Sequence, residues 1–196
     1  MAQSVTLIFI TALILAFILE YWLDQRQIKH VSSKRGAVPD EFADRITLPE
    51  HQKAADYTIT RVRFSAVGQI VGVLFLLVWT LGGGINLLDQ FWRGLEFNMV
   101  WTGVLVMLSV LIISELVELP ISAYRTFYIE QRFGFNNSTV GLFLGDTLKQ
   151  VLLTALIGAP LLWVILWLMQ HMGEMWWLYV WAVWMGFGLL MMWAFP

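Results

Sequence analysis

Five stretches of the chain are apolar for about the 20 residues that a helix needs to cross the hydrocarbon of a bilayer. They fall near 4–23, 64–84, 97–114, 150–172 and 175–195. Of the four intervals between them, two are short, one is long and basic, and one mixes charge, aromatic rings and glycine. The first stretch carries no charge from Ser4 to Leu19 and ends on Glu20, Tyr21 and Trp22. No Lys or Arg precedes it and no small-residue cleavage site follows, so residues 1–23 are expected to stay as a first transmembrane helix rather than leave as a secretory signal. The second is closed by Gly82, Gly83 and Gly84, after which a short loop holds Asp89, Arg93 and Glu96. Gly158 and Pro160 allow a bend in the fourth, and little more than Gly173 and Glu174 separates it from the fifth. The pattern predicts an all-α, polytopic transmembrane helical domain of five helices.

The mixed interval, 119–150, fits neither a lipid-facing helix nor a simple solvated loop. Pro120 disfavours helical geometry at Leu119 and removes a donor, so the third helix is expected to kink there and continue to about Tyr128. Gly134 can then take positive φ, and Asn136, Asn137 or Ser138 can cap a new helix carrying Asp146 and Lys149. The prediction is a kinked helix-turn-helix between the third and fourth spans. At 100° per residue Glu115, Glu118, Ser122, Arg125 and Thr126 share one side of the arriving helix. Carboxylates at such depth face a bundle interior or a water-filled cavity; local pairing of Glu115, Glu118 and Arg125 at the membrane edge is the open alternative. Glu130 is close enough to the turn for its carboxylate to accept from backbone donors around Gly134 and Asn136, or to pair with Arg132 or Arg125. The interval is thus expected to act as a structural clamp or as one wall of a substrate chamber.

Composition and charge agree with a membrane chain and orient it. Of the residues 59% are apolar and 13% charged, with 11 Trp and 13 Phe, unlike a soluble domain. Eight of the 12 basic residues lie in 24–63, namely Arg26, Lys29, Lys34, Arg35, Arg45, Lys53, Arg61 and Arg63. By the positive-inside rule this segment is a cytoplasmic loop, the N-terminus lies outside and the C-terminus is cytoplasmic. Pro49 and Glu50 open an amphipathic helix within it. The net charge of −2 argues against a nucleic-acid partner, and the absence of Cys removes disulfides and thiolate metal sites.

No catalytic constellation is legible. The three histidines, His30, His51 and His171, stand in contexts that never begin a His-Glu-x-x-His zinc pattern. His171 and Glu174 form a weak i,i+3 ligand pair, more simply read as an interfacial loop, and Gly82 to Gly84 lacks the Lys and Ser or Thr of a phosphate loop. No catalytic residue and no metal ligand is assigned.

The words of the mixed interval do resemble those of a known family. Leu119 and Pro120, then Tyr124, Thr126, Phe127, Ile129 and Glu130, then Gly134, Phe135, Asn136 and Thr139, with Asp146 and Lys149 beyond, are similar to the signature of the type I CAAX prenyl endopeptidases. These are integral-membrane zinc metalloproteases of the gluzincin group. Gln131 stands where the family usually has a second acid. Residues 38–42 and 46–58 resemble the cytoplasmic entry segment of bacterial members, although a solvated amphipathic helix fits them as well. Over about 38–193 the resemblance is to the N-terminal five-helix membrane domain, bacterial branch.

That resemblance implies a chain that forms the wall of a proteolytic chamber and supports a peptide or protein substrate. Zinc would be held in the full-length protein by residues of a catalytic domain downstream, absent from this chain. The bilayer and that domain would be its partners, and a bacterial inner membrane its location. Glu115, Glu118, Arg125, Glu130, Arg132, Gly134, Asn136 and Asp146 would serve the chamber or the clamp. The alternative is a non-catalytic membrane scaffold or transporter-like helical bundle, against which the lack of an internal repeat counts. A His-Glu-x-x-His beyond Pro196 would discriminate between them.

Overall fold

The computed structural model describes residues 2–194, which are helical almost throughout and contain no strand. Met1, Phe195 and Pro196, included in the expected first and last spans, lie outside them. Six helices follow one another: α1 Ala2–Lys34, α2 Leu48–Thr80, α3 Gly84–Arg93, α4 Met99–Phe133, α5 Val140–His171 and α6 Trp176–Ala194. All but α3 belong to the five segments long and apolar enough to cross a membrane. Helices α1 and α2 have 33 residues each, about 50 Å at 1.5 Å per residue, against an apolar layer of about 30 Å. Their polar ends therefore extend beyond that layer, and 24–63 consists of the end of α1, the connection 35–47 and the start of α2.

Local chemistry sets most boundaries. Thr47 opens α2: its N–H and hydroxyl both donate to the Glu50 carboxylate, at 2.9 and 2.8 Å, so the Glu50 side chain reaches back to the helix start as in one half of a capping box. At the other end Gly83 takes φ +78° and turns the chain into α3. This interval, expected as a loop, is a ten-residue helix, because Leu88, Phe91 and Trp92 recur at helical spacing opposite Asn86, Gln90 and Arg93. The Asn98 side chain accepts from the N–H of Trp101 at 2.9 Å and starts α4.

The chain divides into two compact units. Unit 1 comprises Met1–Val78 and Leu116–Thr139; unit 2 comprises Trp79–Glu115 and Val140–Pro196. In unit 1, Asp24 of α1 accepts from Gln69 and Ser65 of α2, at 3.1 and 3.4 Å. Near the far end of α1, Arg35 bonds Asp56 through two nitrogens, and the His51 ring meets the carbonyl of Lys34 at 2.9 Å. In unit 2, α4 passes so close to α5 that a Cβ on Gly103 would lie 2.8 Å from Leu166 Cδ1. Beside it Val104 is fully buried, and Trp92 of α3 donates to Ser109 of α4 at 3.0 Å. Small residues that let helices approach are the membrane substitute for a large water-excluding core.

Candidate functional site

Within unit 1 a cavity of about 410 Å³ opens between α2 and α4. Four charged side chains line it: Arg61 from α2, and Glu118, Arg125 and Glu130 from α4. Their convergence follows from helix register. On α2, Arg61, Ser65 and Gly68 are spaced by four and three residues and so share a face; on α4, Glu118, Ile121 and Arg125 do the same at three and four.

Glu130 does not belong to that face in a regular helix. Five residues beyond Arg125, it would point about 140° away around an α-helical axis. From Arg125 to Glu130, however, α4 is wound as a π-helix, with the N–H of Gln131 bonded to the carbonyl of Thr126, five residues back. The wider turn returns Glu130 to the side of Arg125, a device common at functional sites. The chain stays helical through Pro120, so the departure from regular winding comes five residues after the expected kink.

Among the described residues, no ion pair or hydrogen bond engages any of these four charged side chains. The Arg61 guanidinium lies over the Tyr57 ring, 5.9 Å from its centre. Two guanidinium groups and two carboxylates thus keep their donors and acceptors for whatever occupies the cavity. Rings continue the surface: Phe64 stacks on Tyr124 at 4.9 Å and Tyr124 on Tyr128 at 4.7 Å. Such a set can hold a polar, extended chain by its main-chain groups and cover its apolar side chains.

The sequence-predicted residues do not all gather here. Glu118, Arg125 and Glu130 do, whereas Glu115 belongs to unit 2 and accepts from Gln150 at 3.3 Å beside a separate cavity of about 110 Å³. The polar stripe expected on α4 is therefore divided, and the Ser122 hydroxyl turns back to the carbonyl of Leu119. Asp146 meets Lys149 at 3.2 Å in an exposed pair of unit 2. Arg132 lies over the ring of its neighbour Phe133, 5.7 Å away.

Gly134 and Asn136 make the turn. Gly134 has φ +71°. Its N–H bonds the carbonyl of Gln131 at 3.1 Å, and the next N–H, of Phe135, bonds the carbonyl of Glu130 at 2.9 Å, the pair that defines a Schellman motif. Glu130 thus closes the turn through its main chain, and its carboxylate, expected to do so, faces the cavity instead. Asn136 donates to the Gln131 side chain and accepts from the N–H of Ser138. Tyr57 of α2 packs on both Phe133 and Phe135, at 5.5 and 4.8 Å, so the turn is anchored to the second span.

Arg61 and Ser65 were not singled out by sequence reasoning, which counted the basic residues of 24–63 only as a topology signal. Their spacing on α2 was the available clue. The described residues contain no group of three His, Asp or Glu close enough to hold a metal ion. His171 is directed to the carbonyl of Trp167 at 2.8 Å and stacks on that ring, so its contacts are made within α5. The described residues do not form a zinc site, and no chemical step through a metal is assigned to them.

The fold and cavity define a class: a five-span, all-helical membrane domain with a charged cavity between two of its spans. Residues 27–196 match the CAAX prenyl protease N-terminal family, five membrane helices, and the chain belongs to that family. It is 28% identical to the CAAX prenyl protease 1 homolog of Oryza sativa subsp. japonica, over 94% of this chain and 44% of the relative. To CAAX prenyl protease 1 of Saccharomyces cerevisiae it is 31% identical, over 76% of this chain and 35% of the relative. The crystal structure of S. mikatae Ste24p superposes with a TM-score of 0.79 at 25% identity, covering 92% of this chain and 43% of that one. The chain thus spans less than half the length of these relatives. All three are eukaryotic, and the bacterial branch expected from the sequence is not borne out by them.

Proposed function

We propose that this chain is the N-terminal membrane domain of a membrane-embedded zinc endopeptidase, that it forms part of the wall of the proteolytic chamber, and that it steadies the substrate peptide there. The observation that carries this reading is the cavity of unit 1, where Arg61, Glu118, Arg125 and Glu130 face a common space and, among the described residues, have no ion-pair or hydrogen-bond partner. Unpaired charges in a membrane protein mark paths for polar ligands, and a peptide supplies both carbonyls for the arginines and N–H groups for the carboxylates. Zinc and the residues that hold it belong to a catalytic domain downstream, which is also the domain's protein partner. The segment 24–63 serves as the cytoplasmic entry, with the N-terminus outside and the C-terminus cytoplasmic, as its eight basic residues suggest.

The test uses a full-length protein that carries this domain. Glu118→Gln and Arg125→Gln are expected to raise KM for peptide cleavage, by roughly tenfold for loss of one charged hydrogen bond, with zinc content and melting temperature unchanged. Unaltered kcat/KM in both variants would remove the cavity from the substrate path. The scaffold reading would gain if the full-length protein held zinc yet cleaved no peptide.

A further inference from the structure

We infer that the polar end of α1 binds the headgroup of an anionic phospholipid from the surrounding leaflet. The residues from Gln3 to Trp22 cover about 30 Å as a helix, the whole apolar layer. Tyr21 and Trp22 lie at the end of that length, where aromatic residues settle at headgroup depth. The following turns carry Arg26, Lys29 and His30 along a groove of about 660 Å³ whose other lining residues are Leu23, Gln27 and Ser33. No carboxylate lines it.

The nearby charges explain why these cations are available. Asp24 is turned to α2, where Gln69 and Ser65 donate to it. Arg35 is held by Asp56. Glu20 lies a turn deeper, outside the lining of the groove. Among the described residues neither Arg26 nor Lys29 has an ion pair, and Arg26 is placed by the Trp22 ring, 4.7 Å beneath its guanidinium. A phosphate with its negative charge fits between Arg26, Lys29 and a His30 N–H. The acyl chains of the same molecule would run along Leu19 and Leu23, both about half exposed on α1. That continuity of a cationic groove with an apolar helix face selects a lipid over a dissolved anion. Clusters of Lys and Arg at the end of a transmembrane helix attract anionic lipids on electrostatic grounds alone; here the ring contact and the absence of acids in the groove add a defined place.

The 196-residue chain would be reconstituted in phosphatidylcholine vesicles with and without phosphatidylglycerol, extracted, and its retained lipids weighed by native mass spectrometry. The wild type is expected to retain phosphatidylglycerol in preference to phosphatidylcholine. Arg26→Gln/Lys29→Gln should lower that preference by roughly tenfold or more. A variant with the same loss of charge elsewhere, Arg45→Gln/Lys149→Gln, should keep it. Equal retention of the two lipids by the wild type would overturn the inference, as would loss of preference in the Arg45 and Lys149 variant as severe as in the groove variant. Inorganic phosphate that displaces the retained lipid at millimolar levels would also overturn it, because the site would then belong to a free anion.

Discussion

Arg35 and Asp56 join the end of α1 to α2 by a two-point bond, Nε to Oδ1 at 2.7 Å and Nη2 to Oδ2 at 2.8 Å. The fork-to-fork geometry is the strongest that an exposed ion pair adopts, and hydrogen bonding to the carboxylate holds the Arg35 guanidinium above its ordinary pKa. Because both side chains are 43–44% exposed, the contribution is open to salt screening. Asp56→Asn is expected to lower the melting temperature in detergent, and the loss should shrink as salt is added. The exchanged pair Arg35→Asp/Asp56→Arg should recover part of it in a double-mutant cycle. Additive losses across the cycle would show that the two residues do not act together.

Substitution should be costly at Gly134 and nearly silent at Glu130. At φ +71° an alanine at 134 is strained, and the nearest obstacle to its Cβ, Lys53 Nζ at 3.5 Å, can move, so the backbone alone sets a cost on the order of 1 kcal/mol. Glu130→Gln keeps the main-chain carbonyl that receives Phe135, and its stability should stay within about 0.5 kcal/mol of wild type. Chemical denaturation in mixed micelles measures both. A large loss in Glu130→Gln would return the carboxylate to the turn.

The approach of α4 to α5 is a third point of test. Gly103→Ala places a methyl 2.8 Å from Leu166 Cδ1 within unit 2. The leucine tip must shift, at an expected cost of about 1 to 2 kcal/mol. Shortening that side chain makes room, so Gly103→Ala/Leu166→Ala should be more stable than the sum of its single changes predicts. Strict additivity of the two would mean that the helices separate more easily than their packing implies.

The proposed orientation is accessible to single-cysteine labelling, since the chain has no Cys of its own. Ala37→Cys should react with an impermeant maleimide only after the membrane is opened, and Glu174→Cys in intact cells. Labelling of position 37 from outside would reverse the topology drawn from the loop charges.

The sequence by itself determined the five long helices, because each depends on an apolar run of neighbours, whereas the ten-residue α3 was too short to show as one and read as a loop. Uninterrupted apolar runs counted the spans, and Gly134 marked a left-handed turn that no β-carbon favours. The family could be read from words spaced over one helix-turn-helix. What only the tertiary structure decided is which charges meet. Arg61 reaches the level of Glu118 and Arg125 through the register of α2 against α4, a relation between residues more than 50 positions apart that neither helix encodes alone. Glu130 joins them because α4 widens to π winding after Arg125, and a period of 3.6 residues applied to the sequence sends it elsewhere. Glu115 and Glu118, three residues apart and alike in sequence, are parted between two units, since a helix longer than one packing surface offers its successive turns to different neighbours.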